Sequence, residues 1–169
     1  MTPGLRIVPA TERDVPLILG FIRKLAEYEK LSHEVIATEE VLRDGLFGAR
    51  PMAEVLLAYW GDEPAGFALY FHNFSTFVGK PGIYLEDLFV EPVHRRRGIG
   101  KALFAQVANI ACERECGRLE WAVLDWNRPA IDFYRSVGAI AKDEWTIFRL
   151  SGDGLRRLGD QPPIPISGQ

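Results

Sequence analysis

The stretch Glu86-Asp87-Leu88-Phe89-Val90-Glu91-Pro92-Val93-His94-Arg95-Arg96-Arg97-Gly98-Ile99-Gly100-Lys101 constrains this chain more than any other. A β-type run leads through a basic, glycine-containing turn into a helical apolar repeat at Ile99, Leu103, Phe104, Val107, Ile110 and Ala111. A helix that starts there offers unsatisfied N–H groups and the positive end of its dipole, and glycines at 98 and 100 admit a close ligand. That physics suits a phosphate. A P-loop is excluded, because it needs glycine where Arg95 stands and Ser or Thr where Ala102 stands. A dinucleotide fingerprint is excluded as well, because its last glycine falls on Leu103.

The rest of the chain reads as alternating strands and helices. Leu5 to Val8 is a short β run, after which Thr11 and Asp14 are spaced close to a capping box. Val15, Ile18, Leu19, Ile22, Leu25 and Ala26 predict a helix ending near Tyr28 or Lys30, and Thr38 predicts a second, shorter one. Glu54 to Trp60 and Phe67 to Asn73, joined by Gly61-Asp62-Glu63-Pro64, read as an antiparallel hairpin, and Ile83 to Val90 as a third β run. Arg118 to Leu124 and Trp145 to Leu150 are expected strands, with a short helix between them opened by Pro129 and closed by Gly138. The fold expected is a mixed α/β (α+β) sheet in one domain, residues 1–158, followed by a Pro-rich tail, 159–169.

With 169 residues and 47% apolar content, such a domain buries a core without metals or disulfides. No apolar run approaches the ~20 residues that span a bilayer, and Met1 to Ala10 has no signal-type apolar region, so a cytoplasmic protein with no membrane partner is expected. A net charge of −3 argues against broad nucleic-acid binding. Cys112 and Cys116 match no redox or disulfide spacing and are expected to be packing residues. His72 and His94 read as hydrogen-bonding or solvent-facing, and the three scattered histidines have no metal-ligand spacing.

Arg95-x-x-Gly98-x-Gly100 between a strand and a helix resembles the acyl-CoA pyrophosphate loop of the GCN5-related N-acetyltransferase (GNAT) superfamily. Tyr84-Leu85-Glu86-Asp87-Leu88-Phe89-Val90, Asp125-Trp126-Asn127-Arg128-Pro129-Ala130-Ile131-Asp132-Phe133-Tyr134 ahead of Gly138-Ala139, and Leu25-Ala26-Glu27-Tyr28-Glu29 look like its spermidine/spermine (diamine) acetyltransferase branch. The resemblance spans roughly residues 5–155. It implies a GNAT fold whose two central parallel strands splay apart around acetyl-CoA, with no metal, and commonly a homodimer.

Residue roles follow from the same resemblance. The backbone of Leu88 and Val90 would bind the acetyl carbonyl and the pantetheine arm, with Phe89 beside them. Arg95, Arg96, Arg97, Gly98, Ile99, Gly100 and Lys101 would wrap the pyrophosphate. Asn127, Pro129, Ala130 and Phe133 would border the cofactor. Tyr134 matches the general acid and Glu86 the carboxylate that deprotonates or holds the amine, while Tyr28, Glu29, Ser75, Glu86 and Asp87 match the amine end. The branch carries an Asp-Pro pair where this chain has Ser75-Thr76, a departure that points to the thialysine acetyltransferase subgroup rather than to long polyamines.

The chemistry is coherent. An alkylammonium with a pKa near ~10.4 must lose a proton before it can attack a thioester. Like-charge repulsion from Asp87 would raise the proton affinity of Glu86, although consecutive strand residues point to opposite faces and one of the pair would then be a salt-bridge partner. A fixed backbone N–H suits the developing oxyanion, and the thiolate leaving group needs a proton. A non-catalytic acyl-CoA-binding module and a protein lysine or N-terminal acetyltransferase are the alternative readings on the same fold.

Overall fold

Residues 4–160 are described by the computed structural model. Their contacts group them into two compact units that divide between Trp126 and Asn127. In the first, β1 (Leu5–Pro9) leads into a 3-10 turn in which the Asp14 carboxylate accepts from the Thr11 N–H at 2.7 Å and hydroxyl at 2.8 Å. That capping box starts the 3-10 turn, which runs directly into α1 (Val15–Tyr28). Thr38 Oγ1 accepts the Val41 N–H at the start of α2 (Glu39–Phe47).

β2 (Glu54–Trp60), β3 (Glu63–Ser75) and β4 (Lys80–Val90) form an antiparallel meander, with β1 on the outer side of β2. α3 (Ile99–Glu113) then returns the chain to β5 (Leu119–Glu120), which pairs parallel to β4 and completes the order β1-β2-β3-β4-β5.

Val55 to Ala58 and Ala65 to Tyr70, glycine aside, are buried without alternation, so both faces of the sheet are covered. One face carries Val55, Leu57, Phe67, Leu69 and Phe89 packed with Ile18 and Phe21 of α1 and Leu46 of α2. α3 covers the other face through its buried Ile99, Leu103, Phe104, Val107 and Ala111. The second unit holds α4 (Arg128–Ser136) and α5 (Gly152–Gly159).

Two expected strands are corrected. Of Arg118 to Leu124 only Leu119–Glu120 pairs, because Trp121 turns its ring edge-on to Phe104 of α3 at 4.9 Å. Trp145 to Leu150 is irregular and exposed throughout, with Phe148 at 92%, although its residues favour strands. Strand propensity measures fit to a pleated, paired surface, and no strand pairs with it among the described residues. α5 was not signalled, since Gly152, Gly154 and Gly159 are poor helix formers, although Asp153 at its start and Arg156 and Arg157 at its end suit its dipole. Cys112 is exposed rather than a packing residue, while Cys116 is half-buried. The Pro-rich tail lies outside the described residues apart from Gly159 and Asp160.

Candidate active site

The site is built around the end of β4. Its pairing with β5 covers only Ile83↔Leu119 and Tyr84↔Glu120, with the Ile83 N–H donating to Arg118 O at 3.0 Å. Beyond Tyr84 that edge has no strand neighbour, while the other edge stays paired with β3 as far as Gly66↔Val90. A Cβ at Gly66 would run into the carbonyl oxygen of Phe89, so only glycine permits this approach.

Register decides what the open edge offers. Tyr70 faces Leu85 and Leu69 faces Asp87, which leaves Glu86 as the extra residue of a β-bulge. Along a strand, successive N–H groups point to alternate edges. Ile83 donates toward β5, so without the bulge residues 85, 87 and 89 would follow it. The bulge reverses this phase: Glu91 donates to Ala65 O at 2.9 Å on the β3 side, and the N–H groups of Leu88 and Val90 therefore turn to the open edge.

The glycine turn follows directly. Arg96 (φ 63°) and Gly98 (φ 79°) are left-handed, and Gly98 caps α3. Ala102 donates to Gly98 O, but the N–H groups of residues 96–101 reach no carbonyl among the described residues. Six free N–H groups at a helix start form a ready anion cradle. Its cations are not equivalent. The Arg95 Nε donates to Val90 O at 3.0 Å, and its guanidinium lies 4.9 Å from the Tyr28 ring and 5.8 Å from the Phe89 ring. Arg97 lies over Trp60 at 4.9 Å. Arg96 and Lys101 are exposed and form no ion pair among the described residues. Ile99 is a core anchor of α3, so only its backbone faces the turn. His94 is buried, with Nε2 3.3 Å from a Glu63 carboxylate oxygen.

Asp87 lies on the α1 side of the sheet. Tyr84 contacts Phe71 at 5.3 Å, and Asp87 stands opposite Leu69, on the side of the sheet packed by α1. The bulge thus brings Asp87 to the face of Tyr84 and Phe89, where simple alternation would have turned it away. Burial, then the charge of Glu86, then that of Glu29 push the Asp87 carboxyl up to about 7. The raised proton affinity therefore falls on Asp87. Glu29, just past the end of α1, is itself raised by burial. Tyr28 meets the Trp126 ring at 6.0 Å, and the Lys30 ammonium lies over that ring at 5.4 Å.

Ser75 is elsewhere: it is buried, takes the Val78 N–H at the β3–β4 turn, and pairs with Lys80, six residues and about 20 Å along β4 from Glu86. In the second unit Asn127 caps α4, its Oδ1 accepting the Ala130 N–H at 3.4 Å. Pro129 lies in the first turn of α4, and the rings of Phe133 and Tyr134 are 5.3 Å apart. Sequence reasoning missed Lys30 and Trp60, whose roles depend on rings contributed by other segments.

No helix among the described residues is long and apolar enough to cross a membrane. Residues 22–139 match the model of the acetyltransferase (GNAT) family. A thialysine N-epsilon-acetyltransferase of Bos taurus is 41% identical over 88% of this chain and 94% of its own length. An L-ornithine N5-acetyltransferase of Arabidopsis thaliana is 33% identical over 90% of this chain and 87% of its own length. Among solved structures, an integron cassette protein of V. cholerae superposes with a TM-score of 0.78 at 28% identity, covering 94% of this chain and 99% of that one. On that match and those relatives, the chain belongs to the acetyltransferase (GNAT) family.

Proposed function

We propose that this N-acetyltransferase moves the acetyl group of acetyl-CoA directly to a primary amine of a small cationic substrate, a thialysine-like or ornithine-like amino acid or a short diamine. The observation that carries this reading is the succession, along β4 and the turn that follows it, of three parts: the carboxylates of Glu86 and Asp87, the open edge at Leu88 and Val90, and the anion cradle of residues 96–101. The names of the relatives, which act on thialysine and ornithine, support the substrate class.

In this reading the backbone of Arg96 to Lys101 holds the pyrophosphate, with Arg96 and Lys101 as its cations. Arg95 and Arg97, held by their own ring contacts, shape the turn. The N–H groups of Leu88 and Val90 take the acetyl carbonyl and the pantetheine amide, and so stabilise the oxyanion as it forms. Asn127, Pro129, Ala130 and Phe133 line the cofactor side, Tyr134 protonates the departing thiolate, and Tyr28, Glu29, Glu86 and Asp87 receive the amine. A homodimer goes with this reading, supported by the branch resemblance, as does a cytoplasmic setting, supported by the lack of long apolar runs, and Ser75 then serves the turn at the far end of β4.

The test is thiol release from acetyl-CoA over thialysine, ornithine, lysine, diamines, spermidine and a lysine peptide. Turnover is expected on the short amines with an ω-amino group. Acetyl-CoA binding without turnover on any amine would instead make the chain a binding module, and preference for the peptide would make it a protein acetyltransferase. Gly98→Val tests the cradle. A β-branched residue at φ 79° costs about 1–2 kcal/mol of conformational strain, so the free turn should relax out of this conformation and acetyl-CoA affinity measured by calorimetry should fall by up to about 5–30-fold, the cost of restoring it, with helix content by circular dichroism kept.

A further inference from the structure

A cavity of about 490 Å³ lies at the corner of the first unit where β1 ends beside the start of β2. It owes its place to α3, which packs mainly over β3 and β4 and leaves the outer strands less covered. Gln106, Ile110 and Arg114 recur every four residues, so one stripe of α3 overhangs the gap. Ile7, Phe47, Ala53, Leu56 and Ile110 give it apolar walls. Along α3 it runs from Gln106 to Arg114, about 10–25 Å from the cradle at Gly98. None of its lining residues belongs to β4 or to the glycine turn, so it is distinct from the site described above.

The polar groups in its wall are Glu54, Tyr70, Gln106 and Arg114. Arg114 holds Glu54 by two parallel bonds, Nη1 to Oε1 at 2.5 Å and Nη2 to Oε2 at 2.8 Å. The buried Tyr70 hydroxyl donates to Oε2 at 3.4 Å, and His72 Nε2 lies 3.4 Å from Arg114 Nη1. The bonds from Arg114 hold the Glu54 carboxyl below its ordinary value, so at neutral pH both partners are charged and the pair sums to zero. The half-buried Gln106 carboxamide has no hydrogen-bond partner among the described residues.

We propose that this cavity binds a small uncharged molecule with an apolar body and a carboxamide-type head. The volume is within the range of small-molecule sites, and the walls suit an apolar body. The head follows from the charges. A carboxylate gains from Arg114 but is repelled by Glu54, and an ammonium meets the reverse. A neutral group that both donates and accepts avoids both penalties. A carboxamide head pairs with Gln106 by N–H to C=O bonds in each direction, and its remaining N–H and lone pair fall to Glu54 and Arg114. The inference stands apart from the acetyl-transfer reading.

The experiment titrates phenylbutanamide, phenylbutanoate and phenylbutylammonium into the full, isotope-labelled chain without acetyl-CoA, and follows the backbone amide resonances. The three compounds share an apolar body and differ only in the head. Phenylbutanamide should bind about 10-fold more tightly than either charged analogue, with shifts centred on residues 46–56 and 106–114. Gln106→Leu should weaken it about 10-fold, and Ala53→Phe, which fills the cavity from its half-buried wall, should abolish saturable binding. The charge argument has its own signature. Glu54→Gln should turn the preference to phenylbutanoate and Arg114→Gln to phenylbutylammonium, a change that an apolar crevice alone would not show.

Circular dichroism and the urea midpoint check that each variant is folded. Gln106→Leu removes only a half-buried carboxamide, so it decides the matter if a variant of the charge pair unfolds. Equal affinity for the three compounds, no saturable shift at residues 46–56 and 106–114, or a head preference that folded Glu54 and Arg114 variants leave unchanged overturns the inference. Shifts centred on residues 86–101 and reversed by acetyl-CoA also overturn it, since they place the amide in the cofactor site. None of these outcomes touches acetyl transfer, which thiol release reads separately.

Discussion

Phe21→Ala is expected to lower the free energy of unfolding by about 3–5 kcal/mol, seen as a lower urea midpoint at an unchanged slope. Phe21 is only 2% exposed, stacks on Phe67 at 5.5 Å and 8°, and tilts against Phe89 at 5.9 Å. Truncation removes a fully buried ring and leaves a cavity between α1 and β3–β4, where dense packing prevents full collapse. Phe21→Leu, which refills part of the space, should cost less. Phe89 lies between Asp87 and the open Val90 amide, so acetyl-CoA affinity should fall with stability in the alanine variant and recover in the leucine one. A loss below 1 kcal/mol for Phe21→Ala would mean that this ring cluster does not hold α1 to the sheet.

Tyr134→Phe is expected to lower kcat about 10²-fold or more while leaving the urea midpoint within about 0.5 kcal/mol. The leaving thiol of coenzyme A resembles a cysteine, with a pKa near ~8.5, so at pH 7 its thiolate must be protonated for the product to form. A phenol near ~10 can supply that proton and regain one from the amide nitrogen within the same turnover. The discriminating measurement uses a second acetyl donor with a more acidic thiol, whose departure needs less help: Tyr134→Phe should lose less with it. Equal losses with both donors would make Tyr134 a wall residue, and unchanged kcat would remove it from the mechanism.

Much of the frame was legible from neighbouring residues. Thr11 with Asp14, and Thr38 before Val41, mark helix starts because each cap is satisfied within three residues. The glycine turn could be read for the same reason: left-handed backbone at Gly98 and unsatisfied amides at a helix start depend only on the local chain. The hairpin of β2 and β3 was announced by Gly61-Asp62 between two apolar runs. The strand expected at Trp145 to Leu150 failed because a ladder needs a partner, which propensity does not contain.

The sequence by itself determined the order of the elements, the cradle at Arg95 to Lys101, the apolar repeats that become the core, and the presence of paired carboxylates at Glu86-Asp87. Only the tertiary structure decided which way those carboxylates point and which amides of β4 are free. Both depend on the phase of pairing between β3 and β4, and the single extra residue at Glu86 reverses that phase. The tertiary structure likewise decided that Asp87, hemmed in by Glu86 and by Glu29 from α1, is the carboxyl whose proton is held near neutrality. Burial and charge at that distance along the chain are properties of packing, and no local pattern of residues encodes them.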